Sequence, residues 1–187
     1  MKTPTVYICA GAALLLVCAA PQKGSKVETS QRAAITGMVL TSTAFKDGES
    51  IPLEYSGYGE NVSPDLEWAQ VPEGTSSFAL ICRDPDAPGG TFYHWVVFGI
   101  YDTVRQLPGG LGHAAALRFG GGQGMNSFRR VGYDGPKPPT GTHRYYFDLY
   151  ALNMMWMLDQ TTTADQLLER MKGHVLAKAS LMGKYAR

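Results

Sequence analysis

Cysteine is nearly missing from this chain: among 187 residues only Cys9, Cys18 and Cys82 carry a thiol. Two of the three fall in the first twenty positions, so a chain cleaved after a leader keeps Cys82 alone. No intramolecular disulfide framework is then available, and the core has to carry the stability. Charge is scarce too. Asp, Glu, Lys and Arg make up 18% of the chain, against roughly a quarter in soluble proteins, and the net charge is +1. With no basic stripe either, a surface that reads nucleic acid by electrostatics is excluded. Several catalytic signatures are absent as well. There is no HExxH, no paired CxxC and no G-x-S-x-G elbow. The glycine run Gly120-Gly121-Gly122-Gln123-Gly124 lacks the lysine and hydroxyl residue of a P-loop, so residues 109–124 read as a loop.

Lys2 and an uncharged apolar run from Val6 to Ala20, followed by a polar stretch, have the layout of a secretory signal peptide. The run is short for a membrane span. Cleavage after Ala19 gives a signal peptide 1–19, a flexible polar linker 20–36 and one domain over 37–187. Leu15-Leu16-Val17-Cys18 also resembles a bacterial lipoprotein box, although valine fits poorly just before the cysteine. A secreted or periplasmic location is expected, with a lipid on Cys18 and attachment to a bacterial membrane as the alternative.

The rest is mostly short strands and turns. Ser77–Cys82, His94–Ile100 and Arg144–Leu152 are apolar or aromatic β-prone runs bounded by turn residues, expected side by side in the middle of one sheet. Met38–Leu40 and Ile51–Tyr55 flank Lys46-Asp47-Gly48, which reads as a hairpin. Thr163 with Gln166 makes a capping box. Leu167, Leu168, Met171, Val175, Ala179 and Met182 then recur at helical spacing, predicting a helix within 161–185, with a break at Gly173 and a shorter helix around Asp159.

The chemistry concentrates in Asp84–Trp95, reading DPDAPGGTFYHW. Asp84 and Asp86 are two residues apart, so an extended backbone points both to one side. Pro85 and Pro88 end the preceding strand. Acids on a rigid turn at a strand end suit a cavity wall better than a core. His94 and His143 each open a central strand directly after a proline-containing turn, and strands running in one sense put both imidazoles at one end of the sheet. His113 lies in the glycine region and His174 in the predicted helix, where each has an ordinary packing or surface role. Two acids and two histidines invite a metal reading, but no tight ligand spacing supports it and no metal is assigned. Ser63 or Ser127 near a histidine is coincidence-grade support for a hydrolase. Cys82 lies in a strand beside acids that raise a thiol pKa, so it reads as a small core hydrophobe. What remains is a pocket of His, Asp, Tyr and Pro suited to anions, with no reaction evident and no cofactor implied.

The stretches NVSPDLEW (Asn61–Trp68), DPDAP (Asp84–Pro88), His94-Trp95 and GYDGPKPPTGTHRYYFDLYAL (Gly132–Leu152) resemble the phosphatidylethanolamine-binding protein family, in its bacterial branch. The tail GHVLAKASLMGKYAR does so too. The resemblance implies a mainly β fold: a large antiparallel sheet backed by a smaller one, with peripheral and C-terminal helices. It implies a small pocket for phosphate, acetate-like anions or phospholipid head groups, built here by Asp84, Asp86, Pro88, His94, Pro138, Pro139, His143 and Tyr145. Gly132 and Gly135 would contribute backbone N–H groups. Lys137 and Arg129-Arg130 depart from the bacterial pattern and shift the expected preference toward more anionic groups. The resemblance thus implies a non-catalytic binding protein, not an enzyme. The alternative is a protein–protein regulator, kinase- or peptidase-inhibitor-like, outside the cell or in the periplasm. Bacterial relatives suggest a homodimer.

Overall fold

The computed structural model describes Met1 and residues 37–187. The expected signal peptide, the linker and Cys18 lie outside the described residues. Ten elements follow in order: β1 (Val39–Thr41), a 3-10 turn (Leu53–Tyr55), β2 (Leu66–Ala69), β3 (Ser77–Asp84), β4 (Phe92–Tyr101), β5 (Gln106–Leu107), β6 (Gly122–Gln123), β7 (Thr142–Leu152), α1 (Ala164–Met171) and β8 (Val175–Ala186). They form a three-stranded sheet in the order β1-β2-β5 and a five-stranded sheet in the order β6-β4-β3-β7-β8. All strand pairs are antiparallel.

The three strands expected in the middle are β4, β3 and β7, adjacent in that order. Seven of the eight β3 residues are buried, because the strand is covered on both faces. Its Phe78, Leu80 and Cys82 point with Trp95, Phe147 and Leu149 toward Leu40, Leu66, Trp68 and Leu107 of the smaller sheet. Ala79 and Ile81 point the other way, with Val96 and Phe98, onto Ala164, Leu167 and Met171 of α1. Both layers therefore hang on the same central backbone. Cys82 is fully buried, and burial first, then Asp148 and Asp84, push its thiol pKa well up.

Three expectations for the ends of the domain are corrected. The capping box is present: Thr163 Oγ1 accepts from Gln166 N at 3.4 Å and Thr163 N donates to Gln166 Oε1 at 2.9 Å. The helix it starts, however, ends at Met171, and residues 175–186 form β8. Gly173 at φ 77 turns the chain, after which burial alternates through Ala179, Leu181 and Gly183. Small and apolar residues in this stretch satisfied both periods. What decides between them is β7, whose outer edge requires a backbone partner along its whole length. No helix forms around Asp159 either; its carboxylate instead accepts from Thr161 N at 2.8 Å in a turn. The predicted hairpin across Lys46–Gly48 is also absent. Strand β1 pairs with β2, and the segment after the turn runs along the edge of β8, with Ile51 N donating to Lys184 O at 2.7 Å.

Candidate functional site

Because β3 runs against both neighbours, β4 and β7 begin where β3 ends. Asp84 closes β3, while His94 and His143 stand near the starts of β4 and β7. Alternation along β7 puts His143 and Tyr145 on the inward face. His94 reaches the same place by an irregularity. Between the pairs Cys82↔Trp95 and Arg83↔Tyr93 one step on β3 spans two on β4, so His94 is the extra residue of a bulge. Bulges re-aim side chains in this way.

The result is a cavity of about 200 Å³. Asp84, His94, His143 and Tyr145 line it together with Pro88, Pro138 and Pro139. The imidazole of His94 meets the Tyr145 ring edge-on at 5.2 Å, and that of His143 stacks on it at 6.5 Å. Phe92, Phe128, Ala87 and Lys137 complete the wall. No sequence motif marks the two phenylalanines. Their rings lie 4.7 Å apart and both pack on His94, a contact that no motif spacing announces.

Hydrogen bonds set the chemistry of the two imidazoles. His143 Nδ1 bonds Asp84 Oδ2 at 2.7 Å, and His94 Nδ1 bonds the backbone oxygen of Asp134 at 2.6 Å. A carboxylate and a carbonyl only accept, so each Nδ1 carries the proton and donates it. The Nε2 atoms are left to the cavity. Burial removes water from His94 and lowers its pKa, with the Asp134 carbonyl opposing in part. Tyr145 is fully buried; no well-formed hydrogen bond reaches its hydroxyl, and the acceptor it senses inside the protein is the Asp84 carboxylate. Burial, and then the nearby Asp84 carboxylate, drive that phenol pKa strongly upward, so it remains a donor at any physiological pH.

The two acids of the DPDAP turn part company. Asp84 stays inside and also accepts from Asp86 N at 2.8 Å. Asp86 turns away from the cavity and grips Arg144, accepting from its backbone N at 2.9 Å, from Nε at 2.9 Å and from Nη2 at 2.6 Å. Those bonds hold its pKa down at about 2. Its expected place on the cavity wall is therefore corrected: the strand ends at Asp84, and the period-2 argument fails one residue later.

The two glycines are also reassigned. Gly135 N donates to Asn61 Oδ1 at 2.7 Å, and Gly132 N points to Gly124 O at 3.4 Å. Neither offers a free donor. They belong to a support that the sequence did not announce, centred on the buried Asp134. Its carboxylate accepts from Asn61 Nδ2 at 3.0 Å, from Asn126 Nδ2 at 2.8 Å and from the Arg130 guanidinium. Arg130 is thus engaged with Asp134 and does not line the cavity, whereas Lys137 does. Asn61 sits in the NVSPDLEW stretch, which was the available signal. The two remaining histidines stand elsewhere, His113 on Val131 O at 2.5 Å and His174 on Asn153 Oδ1 at 2.9 Å.

Residues 41–186 match the sequence profile of the phosphatidylethanolamine-binding protein family. The chain belongs to that family. It is 45% identical over 150 residues to a UPF0098 protein of Methanothermobacter thermautotrophicus, covering 80% of this chain and 99% of the relative. A UPF0098 protein of Aquifex aeolicus is 43% identical over 153 residues, covering 80% of this chain and 89% of its own. Among solved structures, Escherichia coli YbcL, described as a new member of the mammalian PEBP family, superposes with a TM-score of 0.75 at 33% identity. That match covers 80% of this chain and 98% of YbcL. The mainly β architecture with two antiparallel sheets is the family's fold, and membership supports a role in binding. Helix is scarcer than expected, since β8 occupies the place of the C-terminal one.

Proposed function

We propose that this protein is a secreted, non-catalytic binding protein whose cavity takes a phosphate group, free or as the head group of a phospholipid. The observation that carries this reading is the Tyr145 hydroxyl, a buried donor that makes no well-formed hydrogen bond, on a wall shared with two imidazoles. An unmet buried polar group costs about 1–3 kcal/mol, which a bound oxygen atom removes. A cavity of about 200 Å³ admits a head group and excludes a whole lipid. Asp84 and the Asp134 carbonyl fix the ring orientations, and Lys137 at the rim favours negative charge. The apolar run behind Lys2 supports export.

Titration calorimetry with phosphate, phosphoethanolamine and sulfate tests the assignment, using the native protein and His143→Ala. Saturable binding that weakens at least tenfold in the variant is expected, and equal binding by both would remove the cavity from consideration. Tyr145→Phe separates binding from folding. Deleting a donor that makes no well-formed hydrogen bond in the protein changes stability little, while affinity falls about fivefold, the worth of one hydrogen bond near 1 kcal/mol.

The same hydrogen bonds predict a proton linkage. With Nδ1 of His94 donating to a carbonyl, Nε2 donates to an anion only when the ring is cationic. Burial holds the unliganded ring neutral at physiological pH, so the anion brings a proton with it. Affinity for sulfate, which does not itself titrate in this range, therefore rises as pH falls from 8 to 6. The limit is about tenfold per unit for one proton taken up. Calorimetry in buffers of different ionisation enthalpy reads that proton directly, and a flat pH profile would show that Nε2 of His94 is not a donor to the ligand.

A further inference from the structure

Exposed methionine is the anomaly of this surface. The chain has eight methionines, and three of them fall in four consecutive positions, Met154-Met155-Trp156-Met157. Their exposures are 41%, 37% and 91%. Methionine ordinarily fills gaps in a core, where its thioether meets only apolar neighbours. Here three sulfur-bearing side chains are left at the surface, each with the freedom of three rotatable bonds.

The β7–β8 pairing brings a fourth donor, an imidazole, to the same end of the sheet. The last register pair is Leu152↔Val175, and just beyond it Asn153 N donates to His174 O at 3.0 Å. His174 Nδ1 then bonds Asn153 Oδ1 at 2.9 Å, which places the proton on Nδ1 and leaves the Nε2 lone pair unused. That is how a neutral imidazole is held as a metal ligand, with an outer partner fixing the tautomer and the ring orientation. The indole of Trp156 meets the His174 ring edge-on at 5.3 Å and packs on the outer core cluster. Ser77 Oγ, donating to Met154 O at 2.6 Å, ties the same backbone down. Asn153 and Trp156 thus tie a fixed imidazole to the segment that carries three adjustable thioethers.

The donor set selects the ion. Thioethers and one neutral imidazole carry no charge and bind hard cations poorly, whereas soft d10 monovalent ions prefer them. Among the described residues no group of three or more His, Cys, Asp or Glu stands together, so borderline and hard divalent ions have no comparable site. The buried Cys82, with its raised thiol pKa, does not compete. We propose that Met154, Met155, Met157 and His174 form a site for a soft monovalent metal ion, copper(I) or its redox-inert surrogate silver(I), with the Trp156 ring as an aromatic neighbour of the bound cation. The site shares no residue with the cavity at His94 and His143, and its existence does not depend on what that cavity binds.

Silver(I) in chloride-free buffer is the probe, with the 187-residue chain carrying Cys9→Ser and Cys18→Ser so that those two thiols do not take the ion. Methyl-labelled methionine gives a residue-specific spectrum. Signals of Met154, Met155 and Met157 shift and saturate at one equivalent, and the fluorescence of Trp156 is quenched while the buried Trp68 and Trp95 are unaffected. Affinity falls tenfold or more in His174→Ala and about tenfold in Asn153→Ala, which frees the imidazole from its orienting partner. The double variant Met155→Leu, Met157→Leu keeps the apolar bulk and loses saturable binding. All of these positions lie at or near the surface, so the variants retain the native circular dichroism. The proposal is overturned if the first methyl signals to shift belong to any of the other five methionines, if His174→Ala binds silver as tightly as the native chain, or if zinc(II) produces the same shifts at the same concentration.

Discussion

Asp134→Ala is expected to remove about 3 kcal/mol of stability, a large fraction of the ~5–15 kcal/mol that holds a domain of this size together. The carboxylate is buried and receives the side-chain amides of Asn61 and Asn126 as well as the Arg130 guanidinium. Alanine leaves an N–H of Asn61 and one of Asn126 without an acceptor, while Asn126 Nδ2 keeps its bond to Gly132 O at 3.0 Å, and each loss costs about 1–3 kcal/mol before relaxation. Arg130 contributes less, because its side chain is 57% exposed and returns to solvent. The damage spreads through the partners. Asn126 Oδ1 accepts from Phe128 N at 2.9 Å and Arg130 N at 3.2 Å, so the loop that carries Phe128 to the cavity loosens. Urea unfolding measures the loss as a lowered midpoint, and binding of phosphate weakens in parallel. A midpoint within error of the native one would show that this network does not support the site.

Gly135→Ala is expected to be as severe, at about 3 kcal/mol, and it discriminates between two roles for the residue. An alanine keeps its backbone N–H, so if Gly135 served only as a donor the change would be harmless. The structure leaves no space for a methyl group there: a Cβ would lie 2.1 Å from Tyr55 O and 2.8 Å from Ser56 Cα. Both obstacles are backbone, which cannot rotate aside. The Gly57 N to Pro136 O bond at 2.9 Å and the Tyr58 hydroxyl to Pro138 O bond at 3.0 Å join the same two segments, so pushing them apart also displaces the proline wall of the cavity. Gly89→Ala, in the turn before β4, is the control. Nothing lies within 4 Å of its added Cβ, and its effect stays within about 0.5 kcal/mol. Equal stability of the two variants would refute the close approach at Gly135.

Much of this arrangement was legible in the residues. The three central strands announced themselves as unbroken apolar or aromatic runs, because a strand buried on both faces has no polar alternation to disguise it. Asp84, His94 and His143 were readable for a related reason. Prolines on either side of a strand mark where its ladder stops, and polar groups at such a point have no core to enter. The residues were ambiguous where a pattern admitted two periods or a contact joined remote segments. Residues 175–186 carry alanine and glycine at positions compatible with helix and strand alike, and Asp86 faces outward because Arg144 lies beside it across the sheet end.

The sequence by itself determined that this chain is a mainly β domain with acids and imidazoles gathered at one sheet end, since strand length, β-branching, aromatic content and proline punctuation are local properties. Only the tertiary structure decided that His94 is the extra residue of a bulge, that Asp134 and its amide partners support the cavity while Gly132 and Gly135 do not line it, and that the tail is a strand. Those outcomes turn on which backbone groups find partners across the sheets, and hydrogen-bond satisfaction between distant segments leaves no trace in the order of residues along either one.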